Sequence, residues 1–206
     1  IESRVTVTDS RFADGRDGVY LHRADGSVVR NSSFSGNRYG THLMYTGNAL
    51  IADNTFRDEI YGGITVMTRP ANNAIVGNDV RNSGAGIQAS GMRTYVGYNT
   101  LAGNGLGFST SSRGSLYEHN VVVDNEEGAR ATTVIPSSRV VANDFVGNDI
   151  HAGAGAGALR VWADGDRGNY WEGAEVGLHV PGERAYRPTS PVDAALHREP
   201  AAVAVR

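Results

Sequence analysis

The 206-residue chain contains no cysteine, which excludes disulfides, zinc knuckles and thiol chemistry. It also contains no lysine: all 19 basic residues are arginine, which reads first as GC-rich coding and only second as function. Nine leucines are too few for the scaffold of a leucine-rich repeat. No apolar run approaches the ~20 residues of a membrane-spanning helix. A formal charge of −3 and a pI near 6.1 give no overall attraction to nucleic acid or an anionic membrane. What is abundant is glycine, 27 residues, beside 8% aromatics and 40% apolar residues. That mixture suits many turns, short strands and small inward side chains better than long helices.

Two landmarks recur along the chain. The first is a small polar residue, any residue, then an apolar one: Ser10-Arg11-Phe12, Ser32-Ser33-Phe34, Asn54-Thr55-Phe56, Asn78-Asp79-Val80, Asn99-Thr100-Leu101, Asn120-Val121-Val122 and Asn143-Asp144-Phe145. The second is a glycine opening an alternating strand, at Gly18, Gly40, Gly63, Gly86, Gly107 and Gly128, with spacings of 22, 23, 23, 21 and 21 residues. Three residues before the polar position runs an apolar column, Val7, Val29, Ile51, Ile75, Val96, Tyr117 and Val140. Two independent landmarks advancing together mark a solenoid. The expected fold is all-β, a right-handed, single-stranded parallel β-helix of about seven coils of 21–24 residues.

Coils stacked at the parallel-strand spacing of about 4.8 Å place like residues over like. After each glycine, Val19, Thr41, Ile64, Ile87, Phe108 and Ala129 form one inward column. Leu21, Leu43, Val66, Ala89, Thr110 and Ala131 form the next. The asparagines fit an internal ladder that satisfies buried amides from coil to coil. The pattern fades after about residue 150, so His151–Gly157 is expected as a loose coil or loop and Leu159–Trp162 as a last strand. The division expected is a β-helix over 1–163, then a C-terminal cap and tail over 164–206. Trp162, Tyr170 and Trp171 are sized to cover the open end of the core. Ser190-Pro191 predicts a short helix over Val192–His197. Ile1 enters strand-like sequence with no initiating Met and no signal-peptide pattern, so a processed or truncated chain lacking upstream coils is expected.

Function on such a scaffold is read from its outward columns. The first reads Tyr20, His42, Thr65, Gln88, Ser109 and Arg130; the second reads His22, Met44, Met67, Ser90, Ser111 and Thr132. The same parity sends Met92 outward, so all three methionines lie on or beside one external face with His22 and His42. Thioether with imidazole suits Cu(I) better than zinc, calcium or magnesium. The candidate metal ligands are therefore His22, His42, Met44, Met67 and Met92. The alternative is that the methionines pack beneath a loop, a missing segment or a protein partner.

An enzyme reading starts from carboxylates, since carbohydrate-active β-helices place acids on an outer face. Asp14 and Asp17 share one turn region, and Asp58 and Glu59 follow two coils later, about 9.6 Å away. These four are the candidate carbohydrate site, with solvated turn residues as the alternative. Arg16, Arg38, Arg57 and Arg69 are candidates for an anionic sugar or acidic partner, against scattered surface charge. Asp164, Asp166 and Glu172 lack the spacing of a calcium loop.

Arg38-Tyr39-Gly40-Thr41-His42-Leu43-Met44-Tyr45, the Asn-x-Phe coils and Gly168-Asn169-Tyr170-Trp171 resemble the NosD family. Tyr186-Arg187-Pro188 leading into Pro191-Val192-Asp193 does so too. The resemblance implies a periplasmic or extracellular accessory protein without catalytic turnover. It implies an ABC transporter of NosF and NosY, Cu(I) delivered by the chaperone NosL, and nitrous oxide reductase as the client. His42 and Met44 belong to the resembling stretch, whereas His22, Met67 and Met92 rest on the column argument alone.

Overall fold

A computed structural model describes residues 3–68, 70–131, 138–154, 162, 164 and 167–173. The expected helix at Val192–His197, the tail after it, the strand segment 159–161 and Arg69 lie outside the described residues. The described chain is all-β, with no helix. It winds as a parallel β-helix of about seven coils, each with two three-residue strands and one longer one.

Three sheets run the length of the solenoid. The first has seven strands, from Thr6–Thr8 to Arg139–Val141, and the second has eight, from Arg11–Ala13 to Tyr170–Trp171. The third comprises Asp17–His22, Tyr39–Met44, Gly62–Met67, Ala85–Met92, Leu106–Arg113, Glu127–Ala131 and Ile150–Ala154. Every strand pairs in parallel with its counterpart one coil on, as in Val7↔Val29 and Val19↔Thr41. The register keeps each column in line despite the unequal coil lengths, because extra residues fall in the turns.

The columns fill the interior as the alternation requires. Ile51, Ile75, Val96, Tyr117 and Val140 are fully buried, as are Ile64, Ile87 and Phe108. Phe34 and Phe56 stack at 4.6 Å. Gly18 opens its strand because a Cβ there would meet Phe34 Cδ1 at 2.6 Å and the Gly40 carbonyl at 2.7 Å. The asparagine ladder is continuous. The backbone N–H and Nδ2 of Asn54 donate to Asn78 Oδ1 at 3.1 and 3.0 Å, and Asn78, Asn99, Asn120 and Asn143 repeat the bond, ending on Asn169. Each amide thereby satisfies two donors that burial would otherwise leave unpaired.

A second ladder, absent from the sequence reading, lies before the third sheet: Asn37, Glu59, Ser83, Asn104, Asn125 and Asn148. Glu59, expected on an outer turn, is inside it and 1% exposed. In the His151–Gly157 stretch, expected as a loose coil or loop, residues 151–154 are strand, and 155–157 lie outside the described residues. Ile150–Ala154 is a strand paired with Glu127–Ala131, and Ala152 is buried. Backbone pairing needs no bulky side chain, so a stretch of small residues can still extend the sheet. Past residue 163, Tyr170–Trp171 continues the second sheet against Asp144–Phe145. Trp171 stacks on Phe145 at 4.3 Å and meets Trp162 edge-on at 5.7 Å, closing the core at that end.

Candidate metal-binding face

The candidate metal ligands lie on the outer side of the third sheet, opposite the inward columns. His22, Met44 and Met67 are register partners in three successive strands, His22↔Met44 and Met44↔Met67. Parallel pairing sets their Cα atoms about 4.8 Å apart. His22 is exposed, and both methionines are partly covered. His22 meets the exposed Tyr45 ring edge-on at 5.6 Å. Two thioethers and an imidazole on neighbouring backbones form a soft donor set.

Met92 takes another place. Gly91 has φ +109°, and Met92 bridges Ala71 and pairs with Arg113, while Ser90 follows the Ala89↔Val66 pair and continues the Met67 column. Met92 is 39% exposed and lines a surface groove of about 450 Å³ with Thr68, Ser90, Gly91, Ser111 and Arg113. It stands beside the His22–Met44–Met67 column, two residues further along its strand.

His42 points outward as the parity requires, yet it is covered, with 8% of its surface exposed. Tyr39 lies 4.8 Å from its ring and Tyr20 lies 5.2 Å away, edge-on. Thr65, its register neighbour, is fully buried. Neither ring nitrogen has a hydrogen-bond partner. The nearest charge is Asp17 Oδ2, 3.7 Å from Nδ1, too far for a hydrogen bond but close enough for strong electrostatic coupling. Arg38 Nη2 donates to both Asp17 oxygens at 3.0 and 3.3 Å. Burial lowers the His42 pKa; Asp17 opposes that shift, and Arg38 and Arg16 add to it. Burial thus disfavours the charged imidazolium relative to the neutral form, whose lone pair binds metal. An enclosed imidazole with unpartnered nitrogens fits a ligand role.

The candidate carbohydrate carboxylates are divided among three places. Asp14 and Asp58 are exposed, left-handed turn residues with φ 56° and 57°. Asp17 faces His42 on the third sheet, and Glu59 is enclosed in the second ladder. The structure therefore does not set these four side by side on one outer surface. Of the candidate arginines, Arg16 has 79% of its side chain exposed near Asp17, and Arg57 is paired with Asp79 at 2.7 Å.

Sequence reading did not single out the partners of His42, namely Asp17, Tyr20 and Tyr39 acting together. The available signal was register: Asp17 lies directly over Tyr39, and Tyr20 over His42. Among the described residues, no three His, Cys, Asp or Glu side chains come together as a metal-holding group. A metal on this face would depend on methionine sulfur.

Comparison with curated proteins gives no match. A family described as periplasmic copper-binding protein, NosD, matches residues 2–175, most of the chain and all of the described solenoid. That description names copper binding and a periplasmic location rather than a catalysed reaction. On the strength of that match, this chain belongs to the NosD family.

Proposed function

We propose that the chain is a periplasmic copper carrier that takes Cu(I) on the outer face of its third sheet. His22, Met44 and Met67 supply the primary donors, and His42 supplies an imidazole beside them. The observation that carries the reading is the in-register alignment of His22, Met44 and Met67 on three consecutive strands. Family membership agrees with it. Thioether and neutral imidazole donors bind Cu(I) without the negative charge that would hold the ion too tightly for transfer. Cu(I) is cargo here, accepted and passed on.

The wider role follows from the resemblance of the Arg38–Tyr45 stretch to the family. The protein receives Cu(I) from a NosL-like chaperone, acts with a NosF/NosY-type ABC transporter and serves copper-site maturation of nitrous oxide reductase. It meets the membrane through that transporter.

The deciding experiment is an anaerobic Cu(I) competition titration against a chromophoric chelator, on the wild type and on Met44→Ala/Met67→Ala. Stoichiometric binding that the double variant loses is the expected result. No binding by either protein rejects an autonomous site, and equal binding by both moves it off this face.

A further inference from the structure

We propose that Asp17 is a positioning residue for His42: its carboxylate keeps the imidazole proton on Nδ1 and leaves Nε2 as the metal-facing lone pair. The inference rests on the copper reading above and assigns a role to a residue outside the proposed ligand set.

A neutral imidazole carries one N–H and one lone pair, so its two nitrogens need different partners. Both His42 nitrogens are shielded from solvent and unpartnered within the protein. The asymmetry around the ring is set by Asp17, whose Oδ2 lies 3.7 Å from Nδ1. The negative carboxylate attracts the N–H to that side, which leaves Nε2 the basic atom.

The carboxylate is itself held in place. Arg38 Nη2 donates to both of its oxygens at 3.0 and 3.3 Å, and the Asp17 side chain is only 11% exposed. Arg38 in turn lies over the Tyr39 ring at 5.0 Å, and Tyr39 packs on His42 at 4.8 Å. Arg38, Asp17, Tyr39 and His42 thus form a closed ring of contacts spanning two coils. The gap between Asp17 and Nδ1 exceeds hydrogen-bond length by about half an ångström. Contacts of this kind tighten when the complex forms. A carboxylate behind a ligating imidazole fixes its tautomer and orientation and raises its basicity. Here it also offsets the charge of the incoming cation.

The test uses the ¹⁵N-labelled, metal-free 206-residue chain. Long-range ¹H–¹⁵N correlation near neutral pH reads which nitrogen of His42 is protonated, and the Cu(I) titration is run on the same samples. The wild type is expected in the Nδ1–H form. Asp17→Ala is expected to shift the ring toward Nε2–H and weaken Cu(I) binding about 10- to 100-fold. Asp17→Glu, which restores the carboxylate, is expected to recover much of both. Thermal melts confirm that the variants fold, and if Asp17→Ala does not, Asp17→Asn takes its place. A wild-type ring in the Nε2–H form, unchanged tautomers on removing the carboxylate, or unchanged Cu(I) affinity each overturns the positioning role. A wild type in the Nδ1–H form that binds no Cu(I) overturns the copper reading instead, and the role toward metal goes with it.

Discussion

Glu59 occupies a place in the second ladder that asparagine fills elsewhere, and its carboxyl group accepts both the backbone N–H of Asn37 at 2.9 Å and Asn37 Nδ2 at 3.2 Å. Burial pushes its pKa up to about 7 from an ordinary 4.5, against those two hydrogen bonds, which pull it down. The neighbouring Asp58 adds a smaller upward push. The folded protein therefore holds a proton that the unfolded chain releases. The stabilisation linked to that proton is fully present below about 4.5 and is lost as pH rises through about 7.

Glu59→Gln is accordingly expected to gain stability over the wild type as pH rises from 5 to 8, with a difference on the order of 2–3 kcal/mol at the top of that range. Urea denaturation at several pH values checks it. A difference that does not change with pH rejects the linkage.

Gly18→Ala places a methyl against Phe34 and the Gly40 carbonyl, neither of which has room to retreat. A loss of about 1–3 kcal/mol is expected, measured by thermal or denaturant melting. Phe34→Leu in the same chain relieves only part of it, because the carbonyl contact remains.

Trp171→Ala removes the ring that stacks on Phe145 and meets Trp162. A loss of about 3–5 kcal/mol is expected. Hydrogen exchange should locate the loosening in the Asp144–Val146 strand, with the first coils unaffected.

Met92→Ala separates the register column from the wider group of methionines. Met92 stands in line with Ala71 and Arg113, so its loss is expected to leave Cu(I) affinity nearly unchanged while Met67→Ala lowers it sharply. Competition titration of the two single variants decides the point. Equal losses would place Met92 in the site.

The inward columns and the Asn54–Asn143 ladder were legible in the sequence because both are periodic in residue type. The second ladder was not, because Glu59 and Ser83 interrupt its asparagines. Glu59 was read with Asp58 as a turn acid. The left-handed backbone of Asp58, φ 57°, turns the chain so that the residue after it faces inward, and strand parity cannot carry through such a turn. At the candidate site, parity gave the outward direction of His42 but not its cover. That cover comes from Tyr20, which coil stacking sets over the ring, and from Tyr39, three residues earlier on the same strand. Met92 lies outward beside the column, as parity expects, but it follows Gly91 at φ +109° and its register neighbours are Ala71 and Arg113 rather than another methionine.

The asparagine ladder runs one way, since each Oδ1 accepts from the coil before it and each coil's donors wait on the coil after. Such a chain of bonds is indifferent to how many links it has, provided the last acceptor, Asn169, is kept. Excising the 21 residues from Thr100 to Asn120, one full turn between matched ladder positions, would join Asn99 to Val121 and bring Asn99 against Asn143 as the next link of the ladder. The His22, Met44 and Met67 strands would be unmoved relative to one another, while the distance to the closing tryptophans would shrink by one coil. The length of the molecule and the make-up of its outer face are thus separate quantities, free to change one without the other.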